Sequence, residues 1–93
     1  MANSYRHCTA DTAVVSGQVV LDSICIAPLT ATPTAGLLTI YDNTAESGDV
    51  VYKEWVFATA PGHCIDLDVL CRKGIYVSFD ATLANVGVAV AYS

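Results

Sequence analysis

Apolar and polar residues alternate along much of this chain, in short runs set apart by turn formers. From Val86 to Tyr92 the alternation is unbroken: Val86, Val88, Val90 and Tyr92 fall on one side, Gly87, Ala89 and Ala91 on the other. Cys64 to Val69 behaves alike, with Ile65, Leu67 and Val69 opposite Cys64, Asp66 and Asp68. After Gly74, Ile75, Val77, Phe79 and Ala81 share one face, and Tyr76, Ser78 and Asp80 share the other. Successive strand residues point to opposite faces, so a period of two predicts half-buried β-strands. Gln18 to Ala27 reads as another strand, with Val20, Ile24 and Ile26 on one face and Val19, Leu21 and Cys25 on the other. Asp22 interrupts the first set and marks a bulge or register shift. Pro28 ends that strand by withholding a ladder donor.

The stretch from Gly36 to Phe57 organises the rest. Two runs rich in β-branched and aromatic residues, Leu37 to Tyr41 and Val50 to Phe57, flank a polar loop from Asp42 to Asp49. That composition predicts a hairpin. Asp42 and Asn43 cap its turn with their own side chains, and Gly48 supplies a positive φ. In the first run Leu38 and Ile40 share a face; in the second, Val51, Trp55 and Phe57 project together with Lys53 among them, opposite Val50, Tyr52 and Val56. A lone hairpin is marginal in water, so a second sheet must cover its apolar face. Ser16-Gly17, Pro61-Gly62 and Arg72-Lys73-Gly74 mark further turns. Residues 1–11 read as an edge strand or an arm. With no helical periodicity anywhere, the chain is predicted to be all-β, a single antiparallel β-sandwich domain of 6–8 short strands spanning residues 1–93.

Composition sharpens this picture. The 93 residues are 54% hydrophobic and only 14% charged, against about 25% charged in a typical soluble domain. A domain this small buries only about two-thirds of its unfolded surface. Some apolar side chains must therefore stay outside, against copies of the chain or a larger partner. The longest uncharged stretch, Ser23 to Tyr41, is broken by two prolines and several threonines, so no membrane-spanning helix is expected. The start, MANSYRHC, lacks a signal peptide's apolar centre, and synthesis in the cytoplasm is expected. Net charge is −5 with four basic residues, which argues against neutralising a nucleic-acid backbone. In a reducing compartment Cys8, Cys25, Cys64 and Cys71 are expected to be free thiols.

Few residues suggest chemistry. His7-Cys8 and His63-Cys64 could be combined into a zinc site, but neighbours on a strand point apart and the spacing does not match structural zinc sites. Neither pair has an orienting third residue or an oxyanion hole, so no nucleophile is expected. Asp66 and Asp68 read as the wet face of an amphipathic strand. Asp42, Asn43, Glu46 and Asp49 read as turn chemistry rather than a calcium loop. No enzyme, cofactor or metal is expected. Trp55, the one tryptophan, is either a core anchor, the favoured reading, or a partner contact.

Three segments in order carry a resemblance: VVLDSICIAP, then GLLTIYDNTAESGDVVY, then LDVLCRKGIYVSFDATLANVGVAVAYS. They resemble small virion proteins of tailed bacteriophages, several of them capsid cement or decoration proteins. The cysteines and His-Cys pairs are not part of that pattern. The resemblance implies a jelly-roll-like sandwich that forms homotrimers, sits on the capsid surface and bridges subunits of the major capsid protein. Partner contacts are then expected at Tyr5, Arg6, His7, Trp55 and Tyr92. The alternative is a receptor- or carbohydrate-binding module of a phage head or tail fibre.

Overall fold

The computed structural model describes residues 4–57 and 62–93; the Pro61 side of the Pro61-Gly62 break lies outside them. Eight strands and no helix are present among the described residues: β1 (Ser4–Cys8), β2 (Thr12–Ser16), β3 (Val19–Pro28), β4 (Gly36–Asp42), β5 (Asp49–Val56), β6 (His63–Cys71), β7 (Gly74–Phe79) and β8 (Val86–Tyr92). They form two antiparallel sheets, ordered β1-β8-β3-β6 (sheet A) and β2-β7-β4-β5 (sheet B).

The pairing is nested. β4 pairs with β5, β3 with β6, β2 with β7 and β1 with β8, as if one long hairpin had been rolled up. The additional pairs β3·β8 and β4·β7 close each sheet. This is the jelly roll, a two-sheet arrangement that leaves few strand edges open.

The period-two faces become the core. Leu21, Ile24, Val88 and Val90 from sheet A meet Leu38, Ile40, Ile75 and Val77 from sheet B, all fully buried. Each such side chain contributes about 1.5–3 kcal/mol of transfer free energy. In β3 the face assignment shifts at Asp22. Leu21 pairs with Tyr92 and Ser23 with Ala91, so Asp22 is one residue too many against β8. That bulge rotates the strand, and Leu21 faces the core together with Ile24 and Ile26 rather than opposite them. Within residues 1–11, Ser4–Cys8 form an edge strand paired with β8; residues 1–3 lie outside the described residues.

Turns form where the backbone demands them. Gly17 (φ 91°) and Gly48 (φ 93°) take up the left-handed region. Asn43 holds the β4–β5 loop, donating from Nδ2 to the Ser47 carbonyl at 2.9 Å and accepting the Thr44 N–H at 2.8 Å. Asp42 instead reaches the β6–β7 turn, accepting the Lys73 N–H at 2.8 Å. Burial pulls the Asp42 carboxyl up, but the N–H groups of Lys73, Arg72 and Gly74 and the Lys73 charge outweigh it and hold its pKa below the usual carboxylate value.

Candidate functional site

The five expected contact residues do not gather in one place. Tyr5, Arg6 and His7 lie on β1, and Tyr5 is 78% exposed. Tyr92 faces Ser4 across the β1·β8 ladder, half-buried against the core. Trp55 belongs to β5, in the other sheet. There it is 47% exposed, so it is a surface residue and not the favoured core anchor. Its parity explains this. Tyr52, Glu54 and Val56 pair with the inward Ile40 and Leu38 and with Gly36, which leaves Lys53 and Trp55 outside. Phe57, next on that side, is 63% exposed.

The four outer strands are not alike. β2 carries an extra residue, Val14, against β7, and β5 carries Val51 against β4. β6 places Leu67 and Asp68 opposite the single residue Asp22, with Asp68 at φ 52°. Bulges of this kind bend an edge and discourage further pairing. β1 alone runs in unbroken register, Ser4 to Cys8 against Tyr92 to Val88.

The cysteines divide into two classes. Cys25 and Cys64 face each other across β3·β6, with Cα atoms 4.0 Å apart, and form a disulfide. This corrects the expectation of four free thiols, because register brings together two residues that are distant in sequence. The bond also requires an oxidant at some stage, which a reducing compartment does not supply. Cys8 and Cys71 are free and buried. Burial, and after it the Asp42 charge, pushes the Cys71 thiol up to about 11. Burial also raises Cys8, against the opposing pull of Thr12 and Arg6. Neither is a nucleophile at neutral pH.

At the β5–β6 side a polar chain joins the two sheets. Tyr52 donates to Glu54 Oε1 at 2.5 Å, and Glu54 Oε2 lies 2.7 Å from His63 Nε2. Burial, then the hydrogen bond and charge of Glu54, push the Tyr52 phenol up to about 12. His63 therefore points inward while Cys64 points out, as strand parity requires. The adjoining apolar depression, between Ile26, Pro33, Val56 and Phe57, has room of about 10 Å³, about one water. Among the described residues no group of three or more His, Cys, Asp or Glu could hold a metal ion.

The outer faces complete the inventory. On sheet A the β8 residues Gly87, Ala89 and Ala91 lie beside Ala27, Cys25 and Ser23 of β3. Side chains this small leave the sheet surface low, and His7 and Leu29 cover part of it. A Cβ on Gly87 would come 2.5 Å from His7 Nε2 and 2.9 Å from Leu29 Cδ2. On sheet B a cleft of about 330 Å³ opens over β4, β5 and β7, with Thr39 and Ser78 in its floor. The β4–β5 loop forms one wall, since Ser78 Oγ donates to Glu46 Oε1 at 2.6 Å. Sequence reasoning gave Glu46 to the turn alone; only the folded loop shows it reaching a strand 32 residues away.

No protein-family model, curated protein or solved structure matches this chain.

Proposed function

We propose that the chain is a structural virion protein that trimerises on a phage capsid and stabilises it by bridging subunits of the major capsid protein. The observation that carries this reading is a pair of exposed patches set far apart. One is the regular edge β1 with Tyr5; the other is Trp55 on β5 with Phe57 just beyond its end. The contact between His63 and Glu54 stacks β6 over β5, and β1 lies at the opposite end of sheet A from β6.

Two different patches suit a head-to-tail contact, in which β1 of one copy meets β5 of the next and the ring closes. The regular β1 edge can take up main-chain hydrogen bonds from the part of β5 beyond the Val51 bulge, Tyr52 to Val56, which keeps unbroken register, and exposed aromatics are characteristic interface anchors. Binding only to the assembled shell then stabilises it by mass action, with no chemical step. The sequence resemblance supplies the capsid as the partner, and jelly rolls recur among viral capsid proteins.

Light scattering on the eluting protein tests the assembly, and co-sedimentation with expanded, empty phage heads tests the partner. A trimer that saturates the heads is expected, with Tyr5→Lys and Trp55→Lys each giving a folded monomer. A wild-type monomer at tens of micromolar that leaves the heads bare would overturn the reading.

A further inference from the structure

The sheet B cleft combines features that assembly does not use. Its geometry follows from the ladder: Lys53, Thr39 and Ser78 form one row across β5, β4 and β7. The neighbouring β4 residues on that face are Leu37 and Tyr41. Asp80 closes the far side, anchored by its N–H donating to the Leu37 carbonyl at 2.9 Å.

Thr39 and Ser78 are the only buried polar residues among those described, at 6% and 5% exposure. Ser78 is satisfied by Glu46. Thr39 Oγ1 has no hydrogen-bond partner among the described residues, yet it is not among the sealed, orphaned atoms, so it opens into the cleft. Buried hydroxyls are normally hydrogen-bonded. This one therefore looks outward for its partner. Among the described residues Lys53 likewise forms no ion pair, and Glu46 Oε2 has no hydrogen-bond donor.

We propose that this cleft binds a neutral sugar residue. The two carboxylates in the lining, Glu46 and Asp80, disfavour phosphate or sulfate, and the Lys53 ammonium disfavours a bare cation. A purely apolar ligand would leave the Thr39 hydroxyl dry and unpaired and would strip water from Lys53. A sugar ring matches both demands. Its hydroxyls each donate and accept, as Thr39, Lys53 and the free carboxylate oxygens require. Its C–H face fits against Leu37 and the Tyr41 ring. The volume lies at the lower end of the ~300–1,000 Å³ of small-ligand sites, enough for a short saccharide and open for the rest of a glycan to leave. The inference does not depend on trimerisation or on the capsid.

Amide chemical shifts of the isotope-labelled full chain provide the test, titrated with glucose, galactose and N-acetylglucosamine and with a tetrasaccharide of each. Saturable shifts confined to the Thr39, Lys53 and Ser78 region are expected with at least one probe, and none with phosphate or sulfate. Thr39→Val and Lys53→Met should each weaken that binding about tenfold, the loss of one good hydrogen bond. The first preserves shape and the second is on an exposed edge, so an otherwise unchanged spectrum certifies the fold. Silence with all six saccharides, saturable shifts elsewhere on the surface, a response to phosphate, or wild-type affinity in both variants would each overturn the assignment. Failure here with an intact trimer would leave the assembly reading standing, and the converse holds.

Discussion

The outer faces of the two sheets are built on the same nested ladder and come out as opposites. Sheet A turns Gly87, Ala89, Ala91, Ser23 and Cys25 outward, a low surface partly roofed by its own His7 and Leu29. Sheet B turns Thr39, Tyr41, Lys53 and Ser78 outward beneath an overhanging loop, which makes a polar hollow. Topology thus fixes which residues are neighbours, and side-chain size and polarity decide what the neighbourhood can hold. The covalent cross-link also falls on one side only, between β3 and β6 of sheet A.

The sharpest way to break this comparison is to remove that cross-link. Cys25 and Cys64 are 39 residues apart in sequence, and a loop of that length implies a loss of about 4 kcal/mol by chain entropy when both are replaced by alanine. Urea unfolding of the oxidised parent and the double variant measures it; a difference under about 1 kcal/mol would show that the bond does not hold sheet A together. A matched pair of glycines comes next. A Cβ on Gly36 in sheet B would sit 2.5 to 2.7 Å from the side chain and backbone of Leu83, so Gly36→Ala should cost about 1–3 kcal/mol. On Gly87 in sheet A the added atom meets only the movable ends of His7 and Leu29, and Gly87→Ala should cost under about 1 kcal/mol by the same measurement. Equal costs would erase the contrast between a rigid and a yielding neighbour.

Between these two lies the polar chain that joins the sheets. Glu54→Ala removes the acceptor of Tyr52 and the partner of His63, for an expected loss of about 1–2 kcal/mol. Its Tyr52 phenol should also titrate below about 12 while staying above the ordinary tyrosine value, because burial, the larger cause, remains; ultraviolet absorbance reads the change. The smallest effects are in the pH profile. Asp42 is depressed in the folded chain, so the unfolded chain takes up its proton first as pH falls. Stability from this group is present above the unfolded carboxyl pKa and is lost as pH falls through the folded one. Asp42→Asn should flatten that acid limb. At the alkaline end the order reverses. Tyr52 is raised, the unfolded chain releases its proton first, and stability falls as pH rises from 10 to about 12.

Much of the architecture was legible because strand parity is written directly in β6, β7 and β8, whose inward residues Ile65, Val77 and Val88 follow strict alternation. The hairpin and its loop were legible through Asn43 and Gly48, which impose local geometry. Asp22 announced its bulge by being the wrong polarity for its face. What escaped was set by distant pairing. Trp55 reads as core material until the Ile40–Tyr52 pairing assigns it the outside. Cys25 and Cys64 carry no local mark of their partnership, and neither do Glu46 and Ser78. The cleft was invisible for the same reason: its row is drawn from β5, β4 and β7, which share no stretch of sequence.

The rolled-hairpin pairing also sets an order of events. Of the paired strands only β4 and β5 are close enough in sequence to find each other early, and β8, the eighth of the described strands in chain order, belongs in the middle of sheet A. A ribosome-bound chain can zip its central ribbon, but β1 and β3 must wait for β8 to slot between them. Pulse-labelled exchange during refolding should accordingly protect Ile40 before Tyr5, and the edge offered to neighbours comes into being last.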